Sequence, residues 1–443
     1  MTLFVPDPVL LTSPRGRPWP RLSTPEPPPS GPLPAHADVA IVGAGPAGLS
    51  IAGALWHLGV REVVLLDRDT RPCGRFLDRV DVLRQRVLRS PYGHHPGVEG
   101  YRDCELLDFA RLHWARLTRV ERREVRMAQA GHRSVVPVDV FEAYCHHLAA
   151  VHGVNDRVRR ATVSRLHPQP DAVTVHTDAG GVRARFVVLC LGEHPRDAPA
   201  GWWPRGRQPS GVSRWDEPLP GGIGTLTVIG GGLSAAHLVA NALDGGGRVH
   251  WIVRPPHERY QCNDVDAAFF RAEGRARFTA SIPWADRLAV MRRERRASVM
   301  FEFRPLLRAA EADGRLRVHR GVPPTRVGTG TVRLADGSTV RADHVVLALG
   351  TVPTTGAGLL PASAVGGADG WPDLDDRTLG YRRAPRVFAI GSAAGMILGP
   401  AARNIDGHRV ATARVAGVIA ARLGGAPRSS QAGEPLREVG ASV

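Results

Sequence analysis

Two glycine-rich turns of the dinucleotide-binding type lie in one chain, and each is answered downstream by nearly the same strand. Gly43-Ala44-Gly45-Pro46-Ala47-Gly48 follows the apolar run Val39-Ala40-Ile41-Val42, and Gly230-Gly231-Gly232-Leu233-Ser234-Ala235 follows Leu226-Thr227-Val228-Ile229. After the first comes Phe186-Val187-Val188-Leu189-Cys190-Leu191-Gly192, with Pro195 three residues on. After the second comes His344-Val345-Val346-Leu347-Ala348-Leu349-Gly350, with Pro353 at the same offset. An entire nucleotide-binding unit is therefore duplicated. A chain that holds two dinucleotides can pass a hydride from one to the other, so the expected chemistry is redox.

Short apolar strands alternating with helices predict the α/β class: two Rossmann-like domains with parallel sheets covered on both faces. The order of the motifs makes the first domain discontinuous, with the second inserted into it. The expected boundaries are a Pro-rich disordered arm over 1–35, the first domain over 36–210 and 335–425, the second over 211–334, and a disordered tail over 426–443. The arm holds nine prolines between Pro14 and Pro34, a composition that favours an extended or unfolded chain.

The formal charge of +16 invites a nucleic-acid reading, but its distribution argues against one. All 58 basic residues are arginine, spread along the chain rather than gathered in a stripe. Coding bias explains this more simply, and the basicity favours anionic cofactors. No window reaches the roughly 18 apolar residues of a membrane span, and the N-terminus lacks the pattern of a secretory signal. Cys73, Cys104, Cys145, Cys190 and Cys262 are odd in number and form no C-x-x-C. A disulfide scaffold, a structural zinc site and a redox-active cysteine pair are thereby disfavoured, no cluster has metal-ligand spacing, and a reducing cytoplasm fits. The absence of lysine excludes Schiff-base catalysis.

At the first turn, Gly43 permits the tight bend, Gly45 lets backbone approach a pyrophosphate, and Gly48 allows close helix–strand packing. The helix predicted from Pro46, with Ala47 in its first turn, offers free amides and a dipole to the phosphates. The strand beginning at Glu62 ends on Asp67, with Arg68 beside it, 24 residues after Gly43. An acid there accepts ribose hydroxyls and disfavours a 2′-phosphate, leaving FAD or NAD. At the second turn, Gly230, Gly232 and Ala235 form a GxGxxA variant, with Ser234 in the turn. The strand Val249-His250-Trp251-Ile252-Val253 leads into Arg254, which suits a 2′-phosphate and favours NADPH over NADH. His257 and Arg259 follow shortly.

Two fingerprints, matched closing strands and no cysteine pair resemble the two-dinucleotide-binding-domain flavoproteins, and within them the flavin-dependent N-hydroxylating monooxygenases, the ornithine and lysine N-hydroxylases. The likeness rests also on Val138-Asp139-Val140-Phe141-Glu142-Ala143-Tyr144, on the polar stretch Arg259–Asp266, and on Leu347-Ala348-Leu349-Gly350-Thr351, which is similar to the family's A-T-G-Y element with Leu349 for Thr and Thr351 for Tyr. It covers roughly residues 37–425. Such proteins return to the flavin with a strand ending in Gly-Asp; here Phe388-Ala389-Ile390-Gly391 is followed by Ser392. The Baeyer–Villiger signature is not met, since Gly211 stands in the place of its histidine.

The resemblance implies FAD in the first unit, NADPH in the second, and oxygen transfer from a C4a-(hydro)peroxyflavin to the nitrogen of a small amine or amino-acid-like substrate. Its partners would be that substrate and O2. The segment Arg86–Pro96 falls where the family places a loop beside flavin and substrate. Arg89 would stabilise reduced flavin or anchor a carboxylate. His94 or His95, titrating near physiological pH, would keep an amine neutral, although a histidine pair flanked by prolines also fits a surface turn. Asn404 would face the flavin or cap the last helix. Gly192, Gly350, Gly391 and Ser392 complete the cofactor-binding set. Two other readings stay open: an NAD(P)H-dependent flavin reductase or oxidase without oxygen transfer, and a non-catalytic binding module on the same fold. Substrate identity and homo-oligomerisation are left open.

Overall fold

A computed structural model describes residue 11 and residues 31–69, 71–101, 104–203, 206–279 and 282–424. Most of the Pro-rich arm and the whole tail lie outside the described residues.

The duplication is repeated in three dimensions. In the first sheet five parallel strands run in the order Ala384–Ala389, Gly180–Leu189, His36–Val42, Val63–Asp67, Val158–Arg160. In the second, five parallel strands run Val212–Arg214, His344–Leu347, Thr225–Ile229, Arg248–Val253, Leu316–Arg320. The glycine turns close alike. Gly43 N donates to Leu66 O at 2.9 Å and Cys190 N to Val42 O at 2.8 Å; Gly230 N donates to Ile252 O at 3.0 Å and Ala348 N to Ile229 O at 2.8 Å. The units differ in their outermost strand. The first takes it from the far end of the chain, after the insertion, and the second from the segment just before its own turn.

The central strands are buried on both faces, which is why they read as unbroken apolar runs rather than alternating ones. Val39, Ala40 and Ile41, and equally Val345 and Val346, are fully enclosed. The first dinucleotide helix, Pro46–His57, is rich in small residues and lies between its sheet and the last helix, Ile405–Arg422. Gly48 is required where helix meets turn, because a Cβ there would sit 2.0 Å from Gly43 O.

One boundary is corrected. The hairpin turning at Asp336-Gly337 does not return the chain to the first domain at 335. Its strands Thr331–Leu334 and Thr339–Arg341 belong to a three-stranded antiparallel sheet, and the chain then supplies His344–Leu347 to the second sheet, between Val212–Arg214 and Thr225–Ile229. The second unit therefore ends near Ala348. The crossings between units lie side by side: Glu193–Pro195 pairs antiparallel with Thr351–Pro353. No helix among the described residues is long and apolar enough to cross a membrane.

Candidate active site

Both glycine turns open on one cleft of about 2730 Å3, several times the roughly 300–1,000 Å3 of a drug-sized pocket. Each dinucleotide helix has a glycine N-cap, Gly45 or Gly232, with no side-chain cap, so the amides of its first turn remain for an anionic ligand. A Cβ on Gly45 would meet nothing within 4 Å, and the same holds at Gly192 and Gly350: the space before these positions is open. Gly43 and Gly230 need positive φ, +104° and +141°, and a Cβ there would strike Cys190 O at 2.5 Å or Ala348 O at 2.0 Å. The residues thus fit two dinucleotides.

Pro46, Ala47, Asp67 and Arg68 line the cleft on the first side. Asp67 Oδ2 accepts from Ala44 N at 2.6 Å, which ties the acid to the turn it serves. Ser234 and Arg254 line the second side, with His257 and Arg259 beyond. Gly48 and Ala235 lie behind their turns and serve packing. The matched turn hydrogen bonds refine one expectation. Leu66 corresponds to Ile252, so the counterpart of Asp67 is Val253, and Arg254 corresponds to Arg68. The acid has been replaced by an apolar residue, with an exposed guanidinium one position on. No carboxylate is left there to repel a 2′-phosphate.

Arg89, His94, Asp264 and Asn404 also line the cleft. Arg89 is held by two hydrogen bonds, Nη1 to Ser298 Oγ at 3.1 Å and Nη2 to Ser298 O at 2.9 Å. Asn404 begins the last helix, yet its side chain makes no cap; its amide donates to Asp264 Oδ1 at 2.8 Å. Asp264 is thus a site residue within the polar stretch after the second unit's Arg254, although no local signal marks it above its neighbours. His94 packs against Phe270 with ring centroids 4.8 Å apart.

Neither histidine titrates near neutrality. Burial, reinforced by Arg409, pushes His94 down to about 4 against the opposing pull of Asp264. Burial pushes His95 further, to about 3. His95 also lies off the cleft, enclosed in the core, with Nδ1 3.3 Å from the hydroxyl of Tyr144. The two halves of the histidine pair therefore separate: His94 faces the site and His95 supports the fold.

Gly391 and Ser392 line the cleft as expected, but Ser392 is not alone. Its hydroxyl donates to Glu193 Oε1, and Glu193 also contacts Arg403 at 3.0 Å, together with Arg295 and Thr351. Burial works to raise the Glu193 carboxyl, but Arg403, Arg295 and the two hydroxyls outweigh it and hold it at about 2.

The FAD binding domain family matches residues 36–93. A rifampicin monooxygenase of Streptomyces venezuelae is 33% identical over 167 residues, 35% of this chain; the chain spans about a third, 32%, of that curated relative. Among solved structures, the ornithine N-hydroxylase of Kutzneria sp. 744 superposes with a TM-score of 0.70 at 19% identity, over 88% of this chain and all of that one. The reduced ornithine hydroxylase of Pseudomonas aeruginosa gives 0.70 at 19% identity, over 87% of this chain and 99% of that one.

Proposed function

We propose that the chain, which has the fold of the flavin-dependent N-hydroxylases, is an FAD- and NADPH-dependent monooxygenase that hydroxylates the nitrogen of a small amine or amino-acid-like substrate. The observation that carries this reading is the one cleft onto which both uncapped dinucleotide helices open, with Arg89, His94, Asp264 and Asn404 in its wall. The two-unit architecture, the FAD-binding family match and the fold shared with ornithine hydroxylases support the cofactors.

Gly43–Gly48 and Asp67 would hold FAD, which would supply oxygen activation, and Gly230–Ala235 and Arg254 would hold NADPH, which would supply the hydride. The chain's own groups do the rest. The Arg89 guanidinium, fixed by Ser298, presents a cation for a carboxylate or an electron-rich ring. Asp264, oriented by Asn404, offers the opposite charge to an ammonium. Neutral His94 accepts a hydrogen bond from a substrate nitrogen. A cation and an anion in one corner suit an amino-acid-like molecule, and the walls around them restrict water.

The test is coupling. NADPH oxidation by the flavin-loaded protein is followed in air with a panel of diamines and amino acids, while hydroxylated amine and peroxide are both quantified. Hydroxylated product approaching one per NADPH for some amine supports the proposal. Peroxide matching NADPH, with no oxygenated product across the panel, replaces it with the reductase or oxidase reading.

A further inference from the structure

Outside the cleft lining, three residues with no sequence relationship converge. His57 is the last residue of the first dinucleotide helix, His152 caps the helix Val138–Val151, and Cys104 precedes the helix Leu106–Leu112. His57 Nε2 and His152 Nε2 are 3.1 Å apart, Cys104 Sγ is 3.8 Å from His152 Nε2, and the three atoms all lie within 4.8 Å of one another. We propose that His57, Cys104 and His152 bind a zinc ion that staples the three segments together.

Two of the three pair distances are those of ligand edges. With zinc–nitrogen bonds of about 2.0–2.1 Å and zinc–sulfur bonds of about 2.3 Å, a tetrahedron places nitrogen about 3.3 Å from nitrogen and about 3.6 Å from sulfur. The observed 3.1 and 3.8 Å lie within a few tenths of these. The surroundings are built as a ligand's are. His152 Nε2 faces both of the other ligand atoms, as a metal-bound nitrogen does. Gly53 makes room for that ring: a Cβ there would lie 3.1 Å from both Nδ1 and Cε1. Cys104 and His152 are buried, while His57 is half-exposed beneath Tyr101, so the fourth position opens toward solvent and takes water. Two imidazoles and a thiolate suit zinc rather than calcium or magnesium. Arg61 near His57 and Arg157 near His152 oppose a cation, which makes the thiolate charge indispensable. On binding, the Cys104 thiol loses its proton to solvent.

The proposal does not depend on the flavin reading. Untagged full-length protein is stripped with chelator and titrated with zinc against a competing indicator, then with cobalt as a spectroscopic substitute. Expected are one zinc per chain, one proton released at neutral pH, and a cobalt spectrum with tetrahedral ligand-field bands and a thiolate charge-transfer band. Cys104→Ser removes the charge-transfer band, and both it and His57→Gln weaken zinc at least ~10-fold. Zinc raises the unfolding temperature of the parent and not of the variants, with flavin content unchanged in all three. Zinc well below one per chain, cobalt without the thiolate band, or parental affinity in both variants overturns the site. If Cys104→Ser fails to fold, His57→Gln at the half-exposed helix end decides between the same outcomes.

Discussion

Ser392 donates its hydroxyl to Glu193 Oε1 at 2.7 Å, which returns a carboxylate to the place where the sequence substitutes serine for the acid of related flavoproteins. Glu193 opens the first linker strand, Thr351 the second, Ser392 follows the last strand of the first sheet, Arg295 follows the helix Trp284–Glu294, and Arg403 precedes the last helix. One carboxylate thus ties both units where the chain crosses between them.

That role predicts a pH signature. The folded Glu193 carboxyl sits at about 2 against an ordinary 4.5. A depressed acid contributes stability that is fully present above the ordinary value and is lost as pH falls from about 4.5 toward 2. The shift corresponds to at most about 3 kcal/mol, and less in net terms because burial also pulls the Arg295 guanidinium down. Glu193→Gln is expected to be less stable than the parent at pH 7 by about 1–3 kcal/mol in denaturant unfolding, with the gap closing as pH approaches 3. A gap that stays constant from pH 7 to 3 would show that Glu193 acts by packing alone.

The two glycine turns are expected to fail separately. Alanine at Gly43 or Gly230 drives a Cβ onto a backbone carbonyl and holds a non-glycine residue at positive φ, a strain of about 1–3 kcal/mol each. Gly43→Ala is expected to be purified with little flavin. Gly230→Ala keeps its flavin but needs at least ~10-fold more NADPH for half-maximal flavin reduction. Flavin absorbance per chain and stopped-flow reduction measure the two. Equal flavin loss in both, with NADPH affinity unchanged, would dissolve the division of labour.

His94 also carries a pH statement. Burial and Arg409 hold it at about 4, so it is neutral over the working range, unlike the switch its residue type suggests. The pH–rate profile of substrate-coupled turnover is expected to show no histidine ionisation between pH 6 and 8. His94→Gln should lower kcat at least ~10-fold while leaving the shape of the profile unchanged. An inflection near pH 6.5 in the parent that vanishes in His94→Gln would reassign it as a titrating base.

What the sequence made legible is what is local. The turns at Gly43 and Gly230 and the strands ending at Gly192 and Gly350 carry their own patterns, and the parallel sheets follow from them. The misplaced boundary at 334 has the same origin: Asp336-Gly337 announces a hairpin but says nothing of which sheet comes next. Glu193 carries no local signal, because its partners stand 102 to 210 residues away, at Arg295 and Arg403. His57, Cys104 and His152 are separated by 47 and 48 residues, a spacing that matches no ligand motif. Asn404 was legible as a helix start, but its choice of Asp264 over its own helix depends on a segment from the other unit. His94 and His95 are neighbours in sequence that backbone geometry turns toward different surroundings.

Cofactor choice should reside in Arg254. It stands exposed at the cleft one position after Val253, which occupies the place that Asp67 holds in the first unit. With no acid at that place, discrimination rests on the guanidinium meeting the 2′-phosphate, an exposed charge-assisted contact of about 1.5–3 kcal/mol. Arg254→Ala is therefore expected to lower kcat/KM for NADPH by about 10–100-fold and to change that for NADH by less than ~2-fold, so that the preference shrinks through loss on one side only. The same substitution should weaken binding of adenosine 2′,5′-bisphosphate but not of AMP, which separates phosphate recognition from any general distortion of the site. Equal losses for both nucleotides would mean that Arg254 supports the fold of the turn, and the 2′-phosphate partner would then be sought at His257 or Arg259, which line the same wall.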